Sequence, residues 1–436
     1  MKNIYILLGA LFVLSACEDL EQFPPNIASS STLEDYEEVL NAAYFYQLGS
    51  VTPMAVMGDF RADNALMIEP PYTEFDTYGP DLTTMEDQFF GPFYTALYKS
   101  ILSANNVIEN STDPTEVGEA KFLRALSYFK LVRVFGDVTV NLSEQPSSTD
   151  RDILARVPAG EVYTTVIIPD LEAAIAALDA EIIDGRASKY AAEGLLGKVH
   201  VQMGDFSKAE SHLQAVIDGA AEAGISLQEN FADVFGVIND LNSEIIFATQ
   251  VSSSVSDEYG FSEFWSWYGG LDTKSLEPLD LDLAAAFDAS EGDLRRAVTI
   301  DTALLASPKF PQDGGEDHDW IELRYADILL LYAETLNENG ATPATALAVL
   351  DPIRMRAGLD PLDAGALNTQ DLVRQAIHDE RRLELAFEGQ RWFDLVRTGT
   401  VDQEMGETID RKYHLFPVPI SEIFASFNVI TQNDGY

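Results

Sequence analysis

Apolar residues recur every three to four positions, the spacing of one buried helix face, in four stretches: Val117 to Phe135, Val162 to Leu178, Ser188 to Asp218 and Leu323 to Ile353. Turn residues punctuate them, with Gly136-Asp137 after the first and Gly204-Asp205 inside the third. Pro169 lies inside the second and should kink it, because proline removes a backbone donor and crowds the preceding turn. Two stretches, Thr52 to Gly91 and Val251 to Trp320, lose the period and are rich in Gly, Pro, Asp and aromatics. The pattern predicts an all-α frame over residues 99–220 and 323–395, with long irregular loops over residues 52–91 and 251–320. Loops of that length on a rigid frame usually carry function.

The third stretch holds Leu196, Gly197, His200, Gly204, Ala209, Leu213 and Val216 at the offsets of a tetratricopeptide helix pair. Tyr332, Ala333, Leu336, Gly340, Ala346, Leu350 and Ile353 repeat the offsets, with one residue inserted before Ala346. Ala125, Ala174, Gly197, Ala209 and Ala333 are assigned to close helix crossings, a packing role.

The chain opens with Met1-Lys2-Asn3, runs apolar from Ile4 to Leu14 and reaches its only cysteine in Leu14-Ser15-Ala16-Cys17. A charged start, an apolar run and small residues form the order of a secretory signal. The run is too short to span a bilayer, which needs about 20 residues. Residues 1–16 are therefore expected to be a signal peptide, and residues 17–436 one domain lipidated at Cys17 and held on the membrane by lipid alone. Glu18-Asp19-Leu20-Glu21 resembles the surface-export signal of Bacteroidetes lipoproteins, which points to the extracellular face.

Seventy-two acidic residues against 27 basic ones give a net charge of -45. That excludes nucleic acid as a partner, since phosphate binding needs a basic stripe, and disfavours sulfated or uronic glycans.

Three long motifs then carry a family resemblance. Ala120-Lys121-Phe122-Leu123-Arg124-Ala125 continues to Val134-Phe135-Gly136-Asp137; Leu323-Arg324-Tyr325-Ala326-Asp327 continues to Ala333-Glu334; Glu380-Arg381-Arg382-Leu383-Glu384 continues to Gly389-Gln390-Arg391-Trp392-Phe393-Asp394. Leu415-Phe416-Pro417-Val418-Pro419 and Gln432-Asn433-Asp434-Gly435-Tyr436 close the series. Together they resemble the SusD/RagB family, the outer-membrane glycan-binding lipoproteins of Bacteroidetes. The resemblance implies a tetratricopeptide core with loop insertions, a lipid anchor, no catalytic activity and a TonB-dependent, SusC-like transporter as partner. Phe427 stands where the family usually has proline, and the chain is short for the family.

The carboxylates Glu380, Glu384, Glu388 and Asp394 would suit a glycosidase, which needs two such groups about 5 to 10 Å apart. Arg381, Arg382 and Arg391 lie among them at helical spacing, so intramolecular ion pairs are expected instead. Sugars offer apolar C–H faces, which flat rings can stack against, and hydroxyls for nearby polar groups. The candidate glycan-binding residues are Trp265, Trp267, Tyr268 and Trp320 in the second loop, and Tyr72, Phe75, Tyr78, Arg61, Asp63 and Asn64 in the first. If Trp265-Ser266-Trp267 is extended, both indoles share one side and form a platform. Trp392 is assigned to the core. Asp313-Gly314-Gly315-Glu316-Asp317-His318-Asp319 is read as an acidic turn without EF-hand or zinc spacing, so no metal or other cofactor is expected. The expected function is capture of an oligosaccharide or polysaccharide, neutral and of beta-glucan (laminarin) type, for import. The alternatives are a surface glycoside hydrolase and a peptide-binding tetratricopeptide scaffold.

Overall fold

A computed structural model describes residues 36–147, 150–254, 263–272, 275–311 and 317–436. The signal segment and Cys17 lie outside the described residues. The helices that build the frame are α1 (Glu37–Phe45), α2 (Val51–Asp59), α3 (Gly91–Asn110), α4 (Pro114–Phe135), α5 (Ile168–Ala177), α6 (Lys189–Gln202), α7 (Phe206–Gly219), α8 (Phe264–Tyr268), α9 (Tyr325–Glu338), α10 (Pro343–Ala348), α11 (Asp351–Arg356), α12 (Gln370–Leu385) and α13 (Arg391–Thr398). Successive helices pack on one another in the order α1, α3, α4, α5, α6, α7, α9, α12, so the frame is a stack of helix pairs of tetratricopeptide type.

Local chemistry explains the boundaries. Asp113 accepts from the Thr115 amide at 2.8 Å and Pro114 occupies the first turn of α4, where its missing N–H costs nothing. The helix ends at Gly136, whose φ of 72° a side chain would resist. Between α6 and α7, Gly204 takes φ 72° and the Asp205 side chain caps α7. The α6–α7 crossing needs Gly197: a Cβ there would lie 2.6 Å from Leu213 Cδ2. The kink expected at Pro169 is a π-helical turn over Tyr163–Ile167, directly before α5.

The irregular stretches are more helical than their composition predicts. Val51–Asp59 forms α2, in which every residue is buried. It shows no amphipathic period because it has no polar face, being covered on all sides. Its Pro53 sits in the first turn, and Gly58 meets the backbone of Gly389 so closely that a Cβ would lie 2.2 Å from the Gly389 oxygen. The second stretch contains α8 and the helices Leu281–Ala289 and Arg296–Thr299. It joins the frame through an antiparallel strand pair, β1 (Ile245–Thr249) and β2 (Trp320–Arg324).

β2 delivers Arg324, itself fully buried, into a largely buried charge cluster. Arg324 bonds Glu384 and Glu388 at 2.7 Å each and Glu244 at 2.8 Å. Arg295 reaches Glu380 at 2.7 Å, Glu384 at 3.0 Å and Asp293 at 2.7 Å. Lys309 holds Glu388 at 2.7 Å, Arg354 holds Glu380 at 2.7 Å, and Arg356 joins Glu244 to Glu384. The expected ion pairs therefore form, but not along the helix. Arg381 pairs with Asp327 and Asp394, while Arg382 and Arg391 both pair with Asp63. Arginine's planar fork bonds carboxylates in two directions at once, so partners from distant segments satisfy it better than one neighbour a turn away.

Burial alone would raise the Glu384 carboxyl, but Arg356, Arg324 and Arg295 outweigh it and hold the group below its usual range. Asp59 and Asp76 behave oppositely, pushed by burial up to about 6 and about 7. Two predictions result. Glu384→Ala should cost about 3–5 kcal/mol in denaturant unfolding, because it takes one carboxylate from Arg295, Arg324 and Arg356 together and leaves the buried cluster with an uncompensated positive charge. The stability that Glu384 supplies is present above its unfolded value of 4.5 and is lost as pH falls, whereas that of Asp59 and Asp76 is present below 3.8 and is lost as pH rises through their raised values. Melting temperature should therefore peak near pH 4 and fall toward about pH 7, to be checked by calorimetry from about pH 3 to 9; a steady rise from pH 5 to 8 contradicts the assignment.

Candidate functional site

Most of the candidate glycan-binding side chains lie inside the protein. Residues 264–268 are not extended but form α8, where positions two apart point about 200° away from each other around the axis. Trp265 and Trp267 therefore share no face, and both are 5% exposed. Trp265 packs on His318 at 5.7 Å between ring centres, and Trp267 lies among Phe60, Tyr72 and Phe89 at 5.5 to 6.4 Å. Tyr268 stacks on Phe60 at 5.5 Å, and its hydroxyl donates to Asp59 at 2.9 Å. Trp320 packs edge-on against Phe264 at 4.9 Å, and Phe75 is fully buried against Phe89 and Phe90.

The polar candidates are also committed within the fold. The Arg61 guanidinium is buried over the rings of Tyr78 and Trp392, at 4.6 and 5.4 Å, and donates to the carbonyls of Phe75 and Tyr413. Asp63 accepts two bonds from Arg391, at 2.7 and 2.8 Å. Asn64 donates to Asp59 and accepts from Arg382. The expected Trp265–Trp267 platform is corrected accordingly, and these two together with the other candidate glycan contacts Tyr268, Trp320, Phe75, Arg61, Asp63 and Asn64 form the packed floor beneath the two loops. The physical reason is that a long loop still has to bury its own aromatics, which supply the largest apolar area per residue. Trp392 is fully buried, as expected, and donates to the His414 carbonyl at 3.2 Å.

Two of the ten candidates keep an accessible surface. Tyr72 is half-buried, rests edge-on against Trp267 and donates its hydroxyl to Gln88 at 2.6 Å. Tyr78 is half-buried, stacks on Trp392 with ring centres 5.8 Å apart, and donates to the Arg61 carbonyl at 3.0 Å. Both rings are therefore fixed from below, as a rigid stacking surface requires. In the acidic turn, residues 312–316 lie outside the described residues. Asp317 accepts from Ser253 and Asp319 from the Val251 amide, so these two carboxylates tie the ends of the second loop together.

The structure also opens a cleft of about 580 Å³ that the sequence pattern did not suggest. Its walls include Asn41, Tyr44 and Phe45 of α1, Asp184 and Arg186 of a connecting turn, and Gln250 just after β1. No motif joins these segments. The local signal in the sequence is the aromatic run Tyr44-Phe45-Tyr46, in a segment for which the periodicity predicted no helix.

Comparison with known proteins follows the same lines. A family model described as "SusD family" matches residues 300–436, and a second, described as "Starch-binding associating with outer membrane", matches residues 16–201. The chain is thus similar to the SusD/RagB family in its last third and to a SusD-like model over its first half. SusD-like protein P2 of Formosa agariphila is 26% identical, over 98% of both chains. A SusD-like protein of Bacteroides ovatus is 24% identical, over 91% of this chain and 82% of its own. Among solved structures, a SusD superfamily protein from Parabacteroides distasonis superposes with a TM-score of 0.77 at 23% identity, covering 94% of this chain and all of that one. A laminarin-binding SusD-like protein superposes with a TM-score of 0.72 at 24% identity, covering 92% and 99%. These likenesses show that the SusD-like frame is kept along nearly the whole chain.

The packing generates a prediction opposite to that of an exposed platform. Trp267→Ala should cost about 3–5 kcal/mol of fold stability, as deletion of a buried aromatic does. Tyr72→Ala should cost markedly less. Thermal unfolding of the two variants checks the ranking; equal melting temperatures for Trp267→Ala and wild type contradict the buried assignment.

Proposed function

We propose that this SusD-like protein captures oligosaccharides at the outer-membrane surface and passes them, uncleaved, to a SusC-like TonB-dependent transporter. The observation that carries this reading is the family similarity, with the SusD-like frame retained over 94% of the chain. Within it, the half-buried Tyr72 and Tyr78 offer ring faces held firm by Trp267 and Trp392, which suits stacking against sugar C–H faces. A neutral beta-glucan is the ligand class of choice. The net charge of -45 repels polyanions, and a similar SusD-like structure is a laminarin-binding protein. Cys17 is the proposed anchor, on the extracellular face.

The glycoside hydrolase alternative loses ground because Glu380, Glu384 and Glu388 are buried and paired with Arg354, Arg295, Arg324, Arg356 and Lys309. A carboxylate walled into such a cluster is not accessible to a sugar. The peptide-scaffold alternative would need aromatics along the repeat helices facing an open groove.

Affinity electrophoresis against laminarin, starch and a sulfated or uronic polysaccharide should show retardation by a neutral glucan alone. Tyr72→Ala with Tyr78→Ala should remove about 1–3 kcal/mol of binding, roughly five- to a hundredfold in affinity. Reducing ends should not rise above a protein-free control during prolonged incubation; a rise sinks the non-catalytic reading. Cys17→Ala expressed in a native host should move the protein from the membrane to the soluble fraction, and persistence in the membrane contradicts the anchor.

A further inference from the structure

The cleft beside α1 is built from groups that complement one another. Its floor contains Gln47, whose amide is locked by Ser100, Ser127 and the buried Lys130. One wall carries the half-buried rings of Tyr44 and Phe45. Arg186 lies over the Tyr44 ring at 5.0 Å, held by Glu119 at 2.8 Å and by the Asn41 side-chain Oδ1 at 2.9 Å. The Gln250 amide donates to the Asp184 carbonyl at 2.8 Å and lies so close to Gly185 that a Cβ there would sit 2.3 Å from its nitrogen. A glycine at φ 71° therefore sets the Gln250 side chain in position.

These bonds leave particular atoms free. Asn41 keeps its Nδ2 donors, Gln250 its Oε1 acceptor and Asp184 its carboxylate, all on exposed side chains at the cleft. Donors and acceptors thus alternate around an aromatic wall, in a space within the usual range for small-molecule sites. The Arg186 charge is offset by Glu119, and Glu37 and Asp184 flank the opening, so an anion gains nothing here. A ligand with adjacent hydroxyls, each donating and accepting, and an apolar ring face meets all of these groups at once.

We propose that this cleft is a second saccharide site, separate from the Tyr72–Tyr78 surface, which takes a short neutral stretch of a glycan chain. The ligand class rests on the glycan-binding reading above; the location rests on the cleft alone, since neither Tyr72 nor Tyr78 lines it. Two sites on one protein would let a long chain be held at two points, so that the second contact forms at high effective concentration.

The test is a titration of the ¹⁵N-labelled protein with laminarihexaose and with maltohexaose, following the side-chain amide signals of Asn41 and Gln250, assigned through Asn41→Ala and Gln250→Ala. With one of the sugars at millimolar concentration both signals should shift saturably, and they should still do so in the Tyr72→Ala/Tyr78→Ala variant. Phe45→Ala should weaken that response about tenfold. Amides that stay still while other signals move, or shifts lost in the Tyr72→Ala/Tyr78→Ala variant, overturn the second site and leave the glycan-binding reading standing. A spectrum in which no signal responds to either sugar overturns both.

Discussion

Arg324 holds a positive charge at zero exposure, and the architecture around it can be understood as what that charge requires. An isolated guanidinium in the interior would cost many kcal/mol, so it has to be met by carboxylates in good geometry. Glu244 comes from the start of β1, Glu384 from α12, and Glu388 from the turn that follows. Those carboxylates in turn draw in Arg295, Lys309 and Arg356, and Glu380 draws in Arg354. The named cations, Arg295, Lys309, Arg324, Arg354 and Arg356, equal in number the named carboxylates, Glu244, Asp293, Glu380, Glu384 and Glu388. The cluster is neutral inside a chain whose net charge is -45. It fastens the second loop stretch and the last helices to one point, and leaves the excess of acid to the rest of the chain.

The aromatic floor depends on that fastening. Phe60, Phe264, Trp267, Tyr268, Phe310 and Phe387 meet where α2, α8 and the turn after α12 converge, and the Asp59 carboxylate links them by accepting from Tyr268 and from the Gly389 amide. Gly58 and Gly389 allow backbones to touch there. The two loops are thus pinned from beneath by rings and from behind by charge. A surface prepared in this way loses little entropy when a flat ligand settles on it, which suits weak, repeated capture of a polymer.

Much of the frame was legible along the chain. The period of α4, the Gly204-Asp205 turn and the helices of the two proposed repeat copies depend on residues within a few turns of each other, and the structure forms them, with the second helix of the second copy broken between α10 and α11. Val51–Asp59 was not legible, because a helix buried on every side has no polar face to mark its period. The site was less legible still. Trp265 and Trp267 have the chemistry of a sugar platform, yet whether a ring faces solvent depends on what distant chain covers it: Phe60 and Phe89 for Trp267, His318 for Trp265.

The sequence by itself determined the helical repeat class, the helix ends at Gly136 and Gly204, the family motifs, and that charges pair in the region of Glu380 to Asp394. Tertiary structure alone decided which charges pair, which rings are buried and which segments meet to open the cleft between Asn41, Arg186 and Gln250. The division has a physical cause. Backbone hydrogen bonding and capping act between neighbours in the chain, whereas burial, ion pairing and cavity shape are set by residues dozens to hundreds of positions apart, whose meeting no local pattern records.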